Sequence, residues 1–301
     1  MVFIAGPTAS GKTVFGIGLY KYIAGDAKLE NDTIYIGSND FPPAIDELYY
    51  YMLEHGYPIA TKPDELRVYG FKVDPSILGG EQTFIEFADY AGEHLEKLPK
   101  VMKKYDEVVN EISKSIGSSK EEEEILHRIK VRKLTFNDIK KLSGIIPKAE
   151  KSLLDSIIYA YLISQLNIQT KLILLIDGEK ILRYFKGEDT RIVYDLIIYK
   201  RLIIGDKNVC LVTTKADLLD EIFEEETGKT RVENKKKFIK WIDKKLKVES
   251  PYRELRKDVS KIFATSVRPI KYGREHGVNI WGFEDIKKWI ESVSLLGDRL
   301  L

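Results

Sequence analysis

The N-terminal part of the chain contains the run Val2-Phe3-Ile4-Ala5-Gly6-Pro7-Thr8-Ala9-Ser10-Gly11-Lys12-Thr13. Its four apolar residues are typical of a buried strand, and its last eight match the phosphate-loop (Walker A) pattern G-x-x-x-x-G-K-[ST]. In such a loop the backbone N–H groups converge on phosphate oxygens, and the next helix adds partial positive charge at its N-terminus. The pattern predicts a nucleotide phosphate site with contacts from Gly6, Ala9, Ser10, Gly11, Lys12 and Thr13.

Two residues of this loop have specific expected roles. The Lys12 ammonium group is expected to reach the β- and γ-phosphates, and Lys12 is also a candidate catalytic residue. The Thr13 hydroxyl is expected to bind Mg²⁺. The alternative is an ordinary glycine-rich turn, but the strand before the loop and the helical pattern after it favour a phosphate loop.

Two further motifs also follow strand-like runs. Thr214-Lys215-Ala216-Asp217 comes after the apolar run Val209–Val212 and is the kind of tetrapeptide that recognises guanine. Asp89-Tyr90-Ala91-Gly92 closes another such run and lies between the other two motifs in the sequence. Ligands of open α/β sheets bind at the carboxyl ends of the strands. The three motifs together predict a protein that binds a guanine nucleotide and hydrolyses it.

Composition limits the classes of partner. The 301 residues include 48 Lys and Arg against 47 Asp and Glu, which leaves a net charge of only +1. This balance gives no indication that nucleic acid or an anionic membrane is a partner. The single cysteine, Cys210, excludes an intramolecular disulfide and suits a reducing compartment. No run approaches the roughly eighteen apolar residues of a membrane span, and a strand from Val2 leaves no room for a signal peptide. The sequence predicts a soluble, cytoplasmic protein.

Strand-like and helical runs alternate along the chain, which predicts an α/β fold with a mostly parallel sheet covered by helices on both faces. A Gly79-Gly80 turn suggests a hairpin between two of the β-rich runs. The predicted strands are 2–5, 34–37, 65–73, 82–88, 172–176, 209–212 and 261–264, and the predicted helices are 12–23, 44–54, 190–203 and 283–296.

Two charged helical stretches exceed a minimal α/β layer. We expect one domain over residues 1–301, with a helical insert at about 94–165 and a smaller one at about 218–260. Ser119 and Thr135 each have an acidic residue three positions later and are predicted N-caps in the first insert. The inserts are interpreted either as structural padding or as a lid or partner-binding surface beside the nucleotide.

The order of the motifs resembles that of the TRAFAC class of P-loop GTPases, and within it the prokaryotic double-GTPase-like proteins related to Ras-type G domains. The resemblance implies a G domain, GTP and GDP as substrate and product, Mg²⁺ as cofactor, and a protein effector or regulator. Dimerisation across the nucleotide face stays open. The matching segments are Gly6–Thr13, Gly56-Tyr57-Pro58-Ile59-Ala60-Thr61, Asp89-Tyr90-Ala91-Gly92-Glu93, Thr214–Asp217 and Ala264-Thr265-Ser266.

The resemblance assigns a role in base recognition to the later motifs. Asp217 is expected to accept hydrogen bonds from the guanine N1–H and exocyclic amine, which adenine cannot reproduce. The Lys215 stem is expected to lie over the base, and Thr214 to hold the loop. Thr265 and Ser266 are the nucleotide contacts expected from the last motif. The alternative for Thr214–Asp217 is a turn that simply ends a strand.

The resemblance also implies a metal site and two switch residues. Asp89 is expected to hold Mg²⁺ through water, and the Gly92 N–H to sense the γ-phosphate. Thr61, just before a predicted strand, is expected to close onto Mg²⁺ only when the γ-phosphate is present. The alternative for Thr61 is an ordinary loop threonine.

One departure from the Ras-like pattern concerns catalysis. Those GTPases have a glutamine after the switch glycine that orients the attacking water, whereas this chain has Glu93, followed by His94. A carboxylate beside a triphosphate is repelled, so we expect slow hydrolysis, with Glu93 the first candidate to orient water and His94 the second. A helix-capping role for Glu93 is equally compatible with the sequence.

A different reading starts from Leu172-Ile173-Leu174-Leu175-Ile176-Asp177-Gly178-Glu179. This run resembles a Walker B strand, in which Asp177 binds Mg²⁺ and Glu179 acts as base, and it would make the protein a P-loop ATPase. That interpretation explains neither Asp89–Gly92 nor Thr214–Asp217. A third possibility is a nucleotide-binding scaffold without turnover.

Overall fold

The computed structural model describes residues 2–25, 31–37, 43–58, 61–62, 64–73, 83–116, 119–145, 151–169, 171–203, 205, 207–272 and 275–297. In chain order the elements are β1 (Val2–Ala5), α1 (Lys12–Ala24), β2 (Asn31–Gly37), α2 (Ile45–His55), β3 (Glu65–Val73), β4 (Thr83–Tyr90), α3 (Gly92–Met102), α4 (Tyr105–Ser113), α5 (Lys120–Lys130), α6 (Phe136–Ile145), α7 (Lys151–Ile168), β5 (Lys171–Asp177), α8 (Gly178–Phe185), α9 (Arg191–Leu202), β6 (Asn208–Thr214), a 3₁₀ helix (Ala216–Leu219), α10 (Asp220–Thr227), α11 (Lys235–Leu246), α12 (Ser250–Asp258), β7 (Val259–Ala264), β8 (Ser266–Tyr272), β9 (Glu275–Trp281) and α13 (Phe283–Gly297).

Four parallel strands form the central sheet in the order β1-β5-β6-β7. Parallel strands joined by helical crossovers are buried on both faces, which is why β1 and the Leu172–Ile176 part of β5 are apolar. Both strands are buried throughout. Side chains of β1 alternate between two buried clusters: Phe3 and Ala5 belong to one, Val2 and Ile4 to the other. The predicted α/β class with helices flanking a parallel sheet is confirmed at this level.

A second, antiparallel sheet has the order β2-β3-β4. Its β4 lies beside β1, so the end of β4 reaches the loop that follows β1. The predicted hairpin between the two β-rich runs is confirmed by the antiparallel β3–β4 pairing, while its Gly79-Gly80 turn lies outside the described residues. The antiparallel sheet thus places Asp89 and Gly92 at the edge where the central strands end.

The antiparallel hairpin β8–β9 was not among the expected elements. The family resemblance implies only a short loop after β7. No strand is predicted there from the sequence, since Pro269 and several polar residues interrupt the apolar alternation of this stretch. The strands pair residue by residue from Ser266 with Trp281 to Tyr272 with Glu275.

Helices occupy most of the described part of both charged stretches. The first contains α3 to α7, and the second contains α10 to α12. Both predicted N-caps form: the Ser119 hydroxyl accepts from the Glu122 N–H at 3.3 Å, and the Thr135 hydroxyl accepts from the Asp138 N–H at 3.4 Å. Among the described residues, no helix is both long enough and apolar enough to cross a membrane.

Candidate nucleotide-binding site

The loop from Gly6 to Gly11 folds tightly between β1 and α1. Ala9 and Gly11 have φ angles of 66° and 74°, in the left-handed region that a residue with a side chain rarely adopts. A Cβ atom on Gly6 would lie 2.2 Å from the Ser10 Oγ and 3.1 Å from the Lys12 Cγ, so a side chain at this position would displace Ser10 and crowd Lys12. Since the first N–H groups of a helix have no intrahelical acceptor, the start of α1 at Lys12 presents donors towards this loop.

Lys12 is buried against the loop that it follows. Its ammonium group donates to the carbonyl oxygens of Gly6 and Pro7 at 3.0 and 3.3 Å and lies 4.9 Å from the centre of the Tyr90 ring. Burial lowers the pKa of Lys12 from its ordinary 10.5 to about 8. A charged ammonium group in this position lacks full compensation, and a phosphate group would supply it.

Asp89 brings together the three side chains expected at the metal. Its Oδ2 accepts hydrogen bonds from the hydroxyl of Thr13 at 2.9 Å and from that of Thr61 at 2.6 Å. The three residues come from α1, from the segment before β3 and from β4. One buried carboxylate and two hydroxyls form a hard-oxygen donor set that fits Mg²⁺, which keeps several waters and binds phosphate oxygens alongside one or two carboxylates.

Gly92 lies in contact with the backbone of the phosphate loop. A Cβ atom at this position would be 1.9 Å from the Thr8 nitrogen and 2.2 Å from the Pro7 carbonyl carbon. The close approach requires glycine because any side chain would displace one of the two backbones. The predicted γ-phosphate sensor therefore adjoins the loop that is predicted to hold the phosphates.

Two neighbouring cavities, of about 390 and 430 Å³, meet at Gly11, Val14 and Lys215. Cavities of this size match those that hold small ligands. The first is lined by Thr8, Ala9, Gly11, Lys12, Thr13, Val14, Pro58, Thr61, Asp89, Tyr90, Ala91, Gly92, Glu93 and Lys215. The second is lined by Gly11, Val14, Phe15, Tyr57, Glu179, Thr214, Lys215, Asp217, Leu218, Thr265 and Val267.

The second cavity contains most of the residues expected to contact the base. The Thr214 hydroxyl donates to the Ser10 carbonyl at 2.8 Å, so the two motifs, 204 positions apart, are joined directly. Lys215 adopts a left-handed φ of 48°, and Asp217 follows in the 3₁₀ helix. Thr265 accepts from the Ala216 N–H at 3.0 Å. Ser266 is buried at the start of β8 and is not among the residues lining this cavity.

Glu93 and His94 lie differently with respect to the first cavity. Glu93 lines it, and its side chain is partly exposed, 3.8 Å from Lys97. His94 is buried and turned towards α7, with its Nε2 3.1 Å from the Asp155 carboxylate and its Nδ1 3.2 Å from the Ala91 carbonyl oxygen. Of the two candidates for orienting water, Glu93 is the one beside the predicted phosphate site.

The carboxylates of the Walker B-like run face Lys215. The Lys215 ammonium group lies 3.1 Å from Asp177 and 3.4 Å from Glu179. Asp177 also accepts from the Glu179 N–H at 3.0 Å and so caps α8. Burial raises the pKa of Asp177, and the charge of Lys215 opposes that rise.

Sequence reasoning did not single out several residues of these cavities. Tyr57 belongs to one of the motifs but has no role predicted from the sequence, and it lines the second cavity. Burial and the charge of Asp217 raise its pKa there. Val14, Phe15 and Leu218 provide apolar lining. The sequence signal for Tyr57 is an aromatic residue directly before Pro58. For Val14, Phe15 and Leu218 no such signal exists, because the orientation of their helices decides whether they face the cavity.

Comparison of the chain with protein-family models, with curated proteins and with solved structures finds no match. The side-chain geometry of the described residues is therefore the basis for assigning a function.

Proposed function

We propose that this protein is a GTP-binding protein with a G-domain architecture that hydrolyses GTP slowly in the presence of Mg²⁺ and acts as a molecular switch. The observation that supports this proposal best is the pair of hydrogen bonds from Thr13 and Thr61 to Asp89. Three segments that are distant in the sequence supply one metal-type donor set next to a phosphate loop. The bond from Thr214 to Ser10 then brings the guanine motif to the same loop.

In this proposal the phosphates occupy the first cavity and the base the second. Lys12 neutralises phosphate charge, and the N–H groups at the start of α1 bind phosphate oxygens. Thr13, Thr61 and Asp89 hold Mg²⁺, which supplies charge neutralisation at the β- and γ-phosphates. Asp217 accepts from the guanine edge, while Tyr57 and the apolar part of the second cavity contact the ring.

Slow hydrolysis follows from the residue next to Gly92. Glu93 is in position to orient a water molecule, but its carboxylate also repels the triphosphate. His94 has its ring nitrogens directed at Asp155 and Ala91 rather than into the cavity. A partner protein that supplies a positive charge is the expected means of accelerating the reaction.

The ATPase alternative receives less support from the geometry. Asp177 and Glu179 both approach Lys215, and Asp177 caps α8. A Walker B aspartate has to approach the hydroxyl of the phosphate loop and its metal, and here Thr13 donates to Asp89. Asp177 and Glu179 instead pair with Lys215, which lines both cavities.

A binding panel of GTP, GDP, ATP and ADP with Mg²⁺ tests the proposal. We expect guanine nucleotides to bind about a hundredfold more tightly than adenine nucleotides, because Asp217 pairs with groups that only guanine carries. Asp217→Asn should shift the preference towards xanthine nucleotides, whereas the exposed Asp106→Asn on α4 serves as a control without effect.

The panel also separates the two alternatives. Equal affinity for ATP and GTP would contradict the guanine assignment and favour the ATPase reading of Asp177 and Glu179. Guanine-selective binding with no release of phosphate, measured over hours at saturating GTP, would favour a scaffold without turnover.

A further inference from the structure

A second charged group adjoins the predicted metal site on the antiparallel sheet. Arg67 on β3 is the direct cross-strand partner of Asp89 on β4, which places their Cβ atoms about 5 Å apart. Glu65 lies two residues before Arg67, on the same face of the strand. Glu65 and Asp89 are buried, and the Arg67 side chain is only 13% exposed. An arginine and two carboxylates thus lie close together in an almost fully buried position.

Arg67 forms an ion pair with Glu65 rather than with Asp89. Its Nη2 lies 2.8 Å from the Glu65 Oε2, and its buried Nε has no hydrogen-bond partner among the residues that the structure describes. Burial on its own lowers the pKa of Arg67, but Tyr69, Asp89 and Glu65 raise it above its ordinary value. Arg67 is a permanent positive charge, and Asp89 is its direct cross-strand neighbour.

Glu65 also holds the segment that carries Thr61. Its Oε2 accepts from the Lys62 N–H at 3.2 Å, and its own N–H donates to the Lys62 carbonyl at 3.1 Å. Lys62 directly follows Thr61, whose hydroxyl donates to Asp89. One carboxylate therefore contacts both the arginine beside Asp89 and the residue that follows Thr61.

We propose that Glu65 and Arg67 are positioning residues for the metal centre. Glu65 neutralises Arg67, so that Asp89 keeps its charge for Mg²⁺. Glu65 also binds the N–H of Lys62, the residue next to Thr61, whose hydroxyl donates to Asp89. This inference rests on the proposed function, since it concerns the metal of the nucleotide site. A buried ion pair is not in itself a strong source of stability, so a role at the adjacent site accounts for its place better than a role in stability alone.

The test is the Mg²⁺ dependence of nucleotide binding in Glu65→Gln. Glutamine keeps the shape and the acceptor for the Lys62 N–H but leaves the charge of Arg67 uncompensated beside Asp89. GTP affinity should increase with Mg²⁺ concentration, and the half-maximal concentration should be about tenfold higher in Glu65→Gln than in wild type. One uncompensated positive charge next to Asp89 implies a change of this order. GDP affinity in EDTA should stay within about twofold of wild type. The double variant Glu65→Gln/Arg67→Met removes both charges and should recover most of the Mg²⁺ response.

Two further variants serve as controls. Arg67→Lys keeps both charges and should follow wild type in its Mg²⁺ response. Tyr35→Phe removes a hydroxyl 3.5 Å from the Glu65 Oε1 without changing charge, and it should also follow wild type. Thermal unfolding of each variant without nucleotide measures any loss of stability separately.

Several results would overturn the inference. One is a wild-type Mg²⁺ response in Glu65→Gln, and another is a Glu65→Gln chain that loses nucleotide affinity equally with and without Mg²⁺. The third is an Arg67→Lys chain that needs as much Mg²⁺ as Glu65→Gln does. A Glu65→Gln chain that does not fold would assign the pair to stability and overturn it as well. If the wild-type chain shows no Mg²⁺-dependent binding of guanine nucleotides, the proposed function fails and the inference falls with it; in the other cases only the inference fails.

Discussion

Lys12 is a buried cation held by carbonyl oxygens of its own loop. The Gly6 and Pro7 carbonyls solvate the ammonium group in part, but burial still lowers its pKa to about 8. As the pH falls from 10.5 to 8, Lys12 is protonated in the unfolded chain but still neutral in the folded one. The contribution of Lys12 to the free energy of unfolding therefore decreases over that range and is constant below it. Burial of Lys12 thus lowers the stability of the fold, and in the proposed function a bound phosphate would offset this cost.

The lowered pKa of Lys12 predicts how nucleotide affinity depends on pH. Bound phosphates favour the charged lysine, so the complex holds more protons than the free protein above about pH 7. GDP affinity should be constant below about pH 7, about twofold lower at pH 8 and up to about tenfold lower at pH 9. Calorimetric titration at several pH values measures this. Lys12→Gln should bind weakly at every pH and lose the slope, whereas a flat wild-type profile up to pH 9 would contradict the assignment of Lys12 as the phosphate ligand.

Sequence patterns anticipated the individual residues of the site better than the contacts among them. Gly6–Thr13 and Asp89 are recognisable because each belongs to a short motif after an apolar run. The Arg67–Asp89 pairing depends on the register of β3 against β4, which no local pattern specifies. The place of Tyr57 in the second cavity is not predicted for a similar reason, since no local pattern specifies which way its side chain faces.

At the scale of elements, α3 begins where the phosphate loop and β4 meet. Gly92 is the first residue of this helix, and the backbone of Pro7 and Thr8 fills the space where a side chain would be. The start of α3 therefore cannot come closer to the loop without displacing it. This contact joins a helix to the loop that we propose as the phosphate site.

Substitution of Gly92 tests that coupling. In Gly92→Ala the added methyl group meets the Thr8 nitrogen at 1.9 Å, and the shift needed to relieve such overpacking costs about 1–3 kcal/mol. We expect GTP affinity to fall about 10- to 100-fold in a chain that still folds. The matched control is Gly144→Ala on α6, where a Cβ atom meets nothing within 4 Å; it should leave affinity unchanged and stabilise the fold by up to about 1 kcal/mol. Wild-type affinity in Gly92→Ala would show that the loop and α3 move independently.

Elements with a strong local signal were predicted nearly to their ends. The continuous Leu/Ile run of β5 and the glycine-lysine start of α1 are examples, and both agree with the structure within one or two residues. The hairpin β8–β9 was missed because its strands are partly exposed and Pro269 breaks the alternation. Such strands are stabilised by their pairing and by packing against α1 and α2 rather than by their own pattern.

At the scale of the whole molecule, α3 connects the site to the first helical stretch. His94 lies two residues after Gly92 and is buried between the Ala91 carbonyl and Asp155 of α7, with its ring 5.3 Å from that of Tyr159. A shift of Gly92 therefore displaces a side chain that α7 holds from the other side. We infer that this histidine transmits movement from the phosphate site to the helices α4 to α7.

Hydrogen exchange in the GDP state and in the state with a non-hydrolysable GTP analogue tests this transmission. The Gly92 N–H is expected to approach a γ-phosphate, and ordering of segments tethered to such a contact is how nucleotide switches signal. We expect different protection at Thr61, across residues 93–104, and in α7 around Asp155. Asp155→Asn weakens the contact with His94 and should reduce the difference in α7 while keeping the difference at Thr61. Equal protection of α7 in both states of the wild-type chain would contradict this transmission. The helical stretch would then be a rigid cover of the sheet, because a helix whose packing changes with the bound nucleotide exchanges its amide protons at different rates in the two states.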